Sequence, residues 1–190
     1  VLVGATDWCT HPADLDVGRV RGTKNPDLAA IRDLVPDLVV ANQEENRELD
    51  VRRMRERGIV PELEVFDYGM LDYAKYLIGR GLLREPFYFN LLLGSLGTVS
   101  ATPFNLASLV AALPPGATWA AAGIGRFQFS MNSLGVTMGG NVRIGLEDNL
   151  YEDTGKQRLA TNPGLVERIA RLARAAEREP ATPAQAREII

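Results

Sequence analysis

At 190 residues, 46% hydrophobic and 24% charged, the chain is long and apolar enough to bury the core of one α/β domain, which excludes disorder and coiled coil. Its 21 Lys+Arg against 24 Asp+Glu give a net charge of −3, with no basic excess for a nucleic-acid phosphate backbone. Cys9 is the single cysteine and His11 the single histidine, so neither an internal disulfide nor a two-histidine metal site can form from this chain alone. No apolar run reaches the roughly 18 residues of a membrane span, so no membrane partner is expected. Val1 stands where a Met would start translation, which reads as a trimmed or tag-cleaved beginning. No targeting signal is read, and the compartment is left open.

In chain order, Val1–Ala5 reads as a strand and 18–25 as a loop. Asn25-Pro26 reads as an N-cap with proline at the first helical position, followed by Leu28, Ala30, Ile31 and Leu34 at helical spacing. Asp37–Ala41 reads as a strand, and a helix of mixed charge over about 46–57 ends at Gly58. Glu62–Asp67 reads as a strand, 70–78 as a helix ended by Gly79, and Phe87–Leu93 as an apolar strand covered on both faces. Thr102-Pro103 opens a helix carrying Leu106, Leu109, Val110 and Leu113, and Pro114-Pro115-Gly116 is a loop. Thr118–Ala122 and Asn141–Leu146 read as strands around a helix over 128–138 that ends at Gly139-Gly140. After a loop over 148–162, Asn162-Pro163 and Thr182-Pro183 open the last two helices. The alternation predicts α/β with about six parallel strands, short of the eight of a closed barrel.

The candidate chemistry concentrates in Asn141–Tyr151. On an extended strand Arg143, Gly145 and Glu147 share one face, with Val142, Ile144 and Leu146 on the other. Charges that face inward must be paired or ligated. Glu62, Glu64 and Phe66 likewise share a face, and two carboxylates there need a cation, which Arg143 or Arg126 could supply. Gly123-Ile124-Gly125-Arg126 follows a strand and precedes a helix, a place where backbone amides can cradle an anion, although it lacks the third glycine of a dinucleotide fingerprint. Gly94-Ser95-Leu96-Gly97 is a similar, weak signal. Cys9 and His11 resemble a nucleophile beside a base, but their side chains diverge on an extended chain.

Several long stretches resemble the β-keto acid cleavage enzymes. They are Arg55–Asp67, Ala101–Leu106, Leu113–Trp119, Gly123–Arg126, Gly139–Tyr151 and Glu179–Arg187. The resemblance implies the second half of a TIM barrel over 53–190. It implies cleavage of a β-keto acid with acetyl-CoA, and a catalytic zinc with Glu147 as its carboxylate ligand. Arg143 and Asp148 would orient and activate the keto acid, with Glu62 or Glu64 as the acid of the earlier strand. The family's two further zinc ligands, in a His-x-His motif, have no counterpart here.

Residues 1–52 resemble instead the periplasmic cobalamin- and siderophore-binding receptors, on Val3–Cys9, Arg19–Ile31 and Pro36–Arg47. That resemblance implies a flavodoxin-like βα fragment, with Trp8 facing a ligand cleft; Gly123, Gly125 and Arg126 stand apart from it, as the weak ligand contacts read above from their place between strand and helix. Together the two point to a single hybrid domain over 1–190, an engineered fold chimera joined within the charged helix and without selected activity. No resident cofactor is expected, zinc being the residual one. The alternatives are a β-keto acid cleavage enzyme and a small corrinoid- or chelate-binding module. An apolar patch left on Phe87, Phe89, Leu91 and Leu93 predicts self-association.

Overall fold

The computed structural model describes residues 2–10, 14–36, 39, 53, 56 and 60–189. The chain divides into two compact units, Val1–Glu62 and Leu63–Ile190.

In the first unit, β1 (Gly4–Ala5) pairs in parallel with β2 (Gly18–Arg19), and β3 (Arg21–Gly22) pairs antiparallel with β4 (Asn25–Pro26). The stretch predicted as a loop over 18–25 is therefore largely ladder. Helix α1 (Leu28–Asp33) is capped by Asp27, whose carboxylate accepts from the amides of Ala29 and Ala30. The predicted cap Asn25 sits in β4 instead, because the Asp27 oxygen is the one that reaches the free amides of the first turn. Leu34 packs into the space left by two missing side chains: a Cβ on Gly4 or Gly18 would stand 2.6 or 2.8 Å from its methyl groups. The predicted strand Asp37–Ala41 and the helix over 46–57 fall outside the described residues, apart from isolated positions. Among the described residues no flavodoxin-like βα unit is completed in this unit.

A parallel four-stranded sheet and its helices follow. The strands are β5 (Glu62–Val65), β6 (Tyr88–Leu93), β7 (Thr118–Gly123) and β8 (Asn141–Val142), in that spatial order. Register runs from Tyr88 opposite Thr118 to Leu93 opposite Gly123, and Ala120 and Ala121 face Asn141 and Val142. Helices α2 (Tyr68–Gly79), α3 (Pro103–Ala112) and α4 (Gln128–Thr137) connect them, and α5 (Asn162–Ala175) and α6 (Pro183–Ile189) follow. Sequential strands joined by helices lie side by side, as βαβ units do.

The helix starts follow local chemistry. Asp67, Thr102 and Thr161 accept from the amides of Met70, Asn105 and Gly164. Each such cap is worth about 1 kcal/mol. The cap of α5 is Thr161, one residue before the predicted Asn162, and α2 runs through Gly79 to end at Arg80.

The core lies between the sheet and α2–α4. Phe89, Leu91, Leu93, Leu106 and Leu109 have no exposed surface, and Leu71 and Met131 almost none. Burying each of these side chains contributes roughly 1.5–3 kcal/mol. The predicted apolar patch is thereby corrected: Phe87 is 8% exposed and Phe89, Leu91 and Leu93 are fully buried, because the helices cover that face.

Candidate active site

The C-terminal ends of parallel strands gather loops that can hold a ligand. Here β5 contributes Glu64, and the turn after β8 contributes Arg143, Glu147 and Asp148. The β8 ladder stops at Val142, which corrects the expected strand alternation: Glu147 is not a strand-face neighbour of Arg143. It approaches from four residues on, across a turn.

Arg143 is bound by three carboxylates. Its Nη1 donates to Glu64, its Nη2 to Glu147 at 2.9 Å, and its Nε to Asp148 at 3.1 Å. The Arg143 side chain is 23% exposed and that of Asp148 only 6%, whereas Glu147 is 83% exposed. Burial works against the charged guanidinium. The attraction of Asp148, then Glu64 and Glu147, outweighs it and raises the Arg143 pKa above its ordinary value. One cation against three acids leaves the cluster negative, and Glu147 is the member held least by its surroundings.

The turn carrying these groups is tied down by its carbonyls. Asn132 Nδ2 donates to the carbonyls of Ala121 and Arg143 at 2.8 and 2.9 Å, Gln128 Nε2 to that of Gly145 at 2.9 Å, and the Gly125 amide to that of Asp148 at 2.6 Å. Sequence reasoning missed Gln128 and Asn132. The available signal was two carboxamides one helical turn apart on the face of α4 that also carries the buried Met131 and Gly135.

The other predicted residues lie elsewhere. Glu62 shares the strand face of Glu64 and is half-buried. In the loop after β7, the Ile124 amide donates to Leu93 and that of Gly125 to Asp148, so both are engaged by backbone carbonyls. Arg126 is exposed and lies over the Phe127 ring at 4.8 Å. Trp8, 80% exposed, lines a shallow cavity of about 530 Å³ in the first unit with Asp7, Arg21, Gly22 and Asn25. His11 lies outside the described residues.

Zinc, which the resemblance implies, needs about three protein donors and an open position. Among the described residues no three His, Cys, Asp or Glu side chains gather so as to hold a metal ion. The assigned ligand Glu147 is engaged by Arg143. The described residues do not fit a zinc site by themselves.

Residues 7–190 match the profile of the β-keto acid cleavage enzymes. A 3-keto-5-aminohexanoate cleavage enzyme of Fusobacterium nucleatum is 47% identical over 136 residues, 71% of this chain and 48% of its own length. The enzyme of the same name from Acetoanaerobium sticklandii is 40% identical over 137 residues, 72% of this chain and 50% of its own. A 3-dehydrocarnitine:acetyl-CoA trimethylamine transferase of Rhizobium meliloti is 35% identical over 174 residues, 88% of this chain and 54% of its own. The chain thus spans about half the length of the curated relatives it matches. These matches overturn the expectation of an engineered, non-enzymatic chimera. The profile begins at residue 7, and the Rhizobium relative aligns through most of the front segment, so no separate receptor part finds support. The chain belongs to the β-keto acid cleavage enzyme family.

Proposed function

We propose that the protein cleaves a β-keto acid in a reaction with acetyl-CoA, and that the cluster around Arg143 binds and orients the keto acid. The observation that carries this reading is the guanidinium held at the sheet's C-terminal end by Asp148 and Glu64, with its third donor pair on the exposed Glu147. A guanidinium fork suits a carboxylate, and a buried partner on Nε fixes its direction.

A substrate carboxylate entering this site meets more negative than positive charge. It gains only if one acid leaves, and Glu147, 83% exposed, is the acid that can do so without stranding a buried charge. Its departure frees Nη2 for the substrate. Asp148 and Glu64 keep Arg143 ionised and aimed, and in this reading Asp148 is also the base that takes a proton from the docked keto acid. The names of the relatives support the co-substrate, since that from Rhizobium meliloti is named for acetyl-CoA.

Calorimetric titration of the protein with a β-keto acid tests the docking role. Saturable binding that Arg143→Met abolishes supports it. Equal binding by both proteins removes Arg143 from the site.

A further inference from the structure

We infer that Gln128 and Asn132 are positioning residues of this site: two buried carboxamides on one face of α4 that hold the turn bearing Arg143, Glu147 and Asp148. The inference rests on the reading of that turn as the substrate site, and it extends the site to a helix carrying none of the charged groups.

The β7–β8 ladder ends early. The Arg143 amide still donates to Ala121 at 3.1 Å, but beyond it the turn leaves the sheet. At that point a strand end would ordinarily fray into solvent. Instead Asn132 Nδ2 bridges the carbonyls of Ala121 and Arg143, joining the last position of β7 that pairs with β8 to the first residue beyond β8. Gln128, one helical turn earlier on the same face, takes the carbonyl of Gly145. The Gly125 amide, just ahead of α4, takes that of Asp148. Three carbonyls of a six-residue turn are thus bound from one side. The side chains of Arg143 and Asp148 meet one another at 3.1 Å.

The arrangement has a cost that plain packing would avoid. Both carboxamides are fully buried, and neither Gln128 Oε1 nor Asn132 Oδ1 has a hydrogen-bond partner among the described residues. A leucine or methionine would leave no such oxygen stranded. The helix also lies unusually close to the sheet, since a Cβ on Gly135 would stand 2.9 Å from the Asn141 carbonyl. That close approach lets a side chain as short as Asn132 reach two strands.

The test uses Gln128→Met and Asn132→Leu, which keep the side-chain volume and lose the donor, with Ser133→Ala on the same helix as control. Arg143→Lys identifies the Arg143 Nε–H resonance by its loss from an ¹⁵N spectrum. Hydrogen exchange at that Nε–H is then read beside thermal unfolding. Expected in either carboxamide variant is exchange about tenfold faster, the scale of one lost neutral hydrogen bond, with Ser133→Ala unchanged. Where the parent turns over β-keto acid, kcat/KM falls about 100-fold, with both constants affected because the turn carries the binding guanidinium as well as Asp148. Should Asn132→Leu fail to fold, Gln128→Met carries the test. Unchanged Nε–H exchange in folded variants overturns the inference. Failure of the parent to bind or cleave β-keto acids would instead sink the functional reading, and leave the exchange result standing on its own.

Discussion

Arg143 Nε lies 3.1 Å from Asp148 Oδ2, and the Asp148 side chain is 6% exposed, so an acid with little solvent contact is neutralised by a residue five positions away. The pair could not form on a continuous strand, where the two side chains would alternate across the sheet. It exists because β8 stops after Val142 and the chain turns.

Removing that cation strands Asp148 and Glu64 together. We expect Arg143→Met to lower stability by roughly 2–4 kcal/mol, somewhat below the range for fully buried pairs because the guanidinium keeps some solvent contact. Urea unfolding at neutral pH measures it. A loss below about 0.5 kcal/mol, the usual surface value, would show that the cluster is solvated and unimportant to the fold.

The two neighbouring acids should behave oppositely. Glu147→Ala leaves stability within about 0.5 kcal/mol, since an ion pair so exposed contributes little. Asp148→Ala removes an acceptor that is itself only 6% exposed and leaves the partly buried Arg143 Nε without it, so its loss should be several times larger. Equal effects from the two substitutions, read by the same urea titration, would contradict the exposure difference on which the proposed departure of Glu147 depends.

Acid should loosen two local structures. The pKa of Asp27 is lowered by its hydrogen bond from the Ala30 amide and that of Asp153 by the amides of Gln157 and Arg158. A carboxylate with a depressed folded pKa contributes stability that is present above the unfolded value. That stability is lost as pH falls through the folded one, here below about pH 4. The raised pKa of Arg143 works the other way: its contribution is complete below the unfolded value and is lost only in strong alkali. Amide exchange at Ala30 and Arg158 should therefore rise on acidification below about pH 4 relative to the intrinsic rate. Asp27→Asn and Asp153→Asn should each flatten the response at its own site. A response surviving in both variants would locate the titration elsewhere.

Gly123 ends β7 where the backbone of Phe127 folds back upon it. A Cβ there would clash with the Phe127 carbonyl and stand 2.8 Å from Gln128 Cα, all backbone that cannot rotate away. Gly123→Ala should cost about 1–3 kcal/mol or more and disturb the start of α4. An unchanged melting temperature would mean that the turn relaxes freely.

The four strands of the sheet and its helices were legible because their signals are local: apolar runs at Phe87–Leu93 and Thr118–Ala122, and Thr-Pro helix starts. Register among caps was less so, since at Asn25-Pro26 and Asn162-Pro163 a neighbouring Asp27 or Thr161 reaches the free amides better. The pairing of Glu64 with Arg143 was open in the sequence, where Arg126 was an equal candidate; β5 and β8 are the outer strands of the four, so no strand adjacency foretells a contact that only the folded sheet shows. Gln128 and Asn132 gave only the faint signal of two carboxamides one helical turn apart, because a carboxamide in a helix reads as surface until the sheet behind it is known. The front segment misled for another reason. A compact, specific local pattern over some fifty residues suggested a second ancestry, while the family match extends through it to residue 7.

Turnover tests the account most directly: the protein incubated with acetyl-CoA and a β-keto acid, the new thioester quantified, and the same measured for Asp148→Asn. The account predicts a thioester product from the parent and a fall of at least about 100-fold in kcat for Asp148→Asn, the scale of a lost acid–base group. Undiminished turnover in Asp148→Asn would contradict it, as would a folded parent that binds neither substrate.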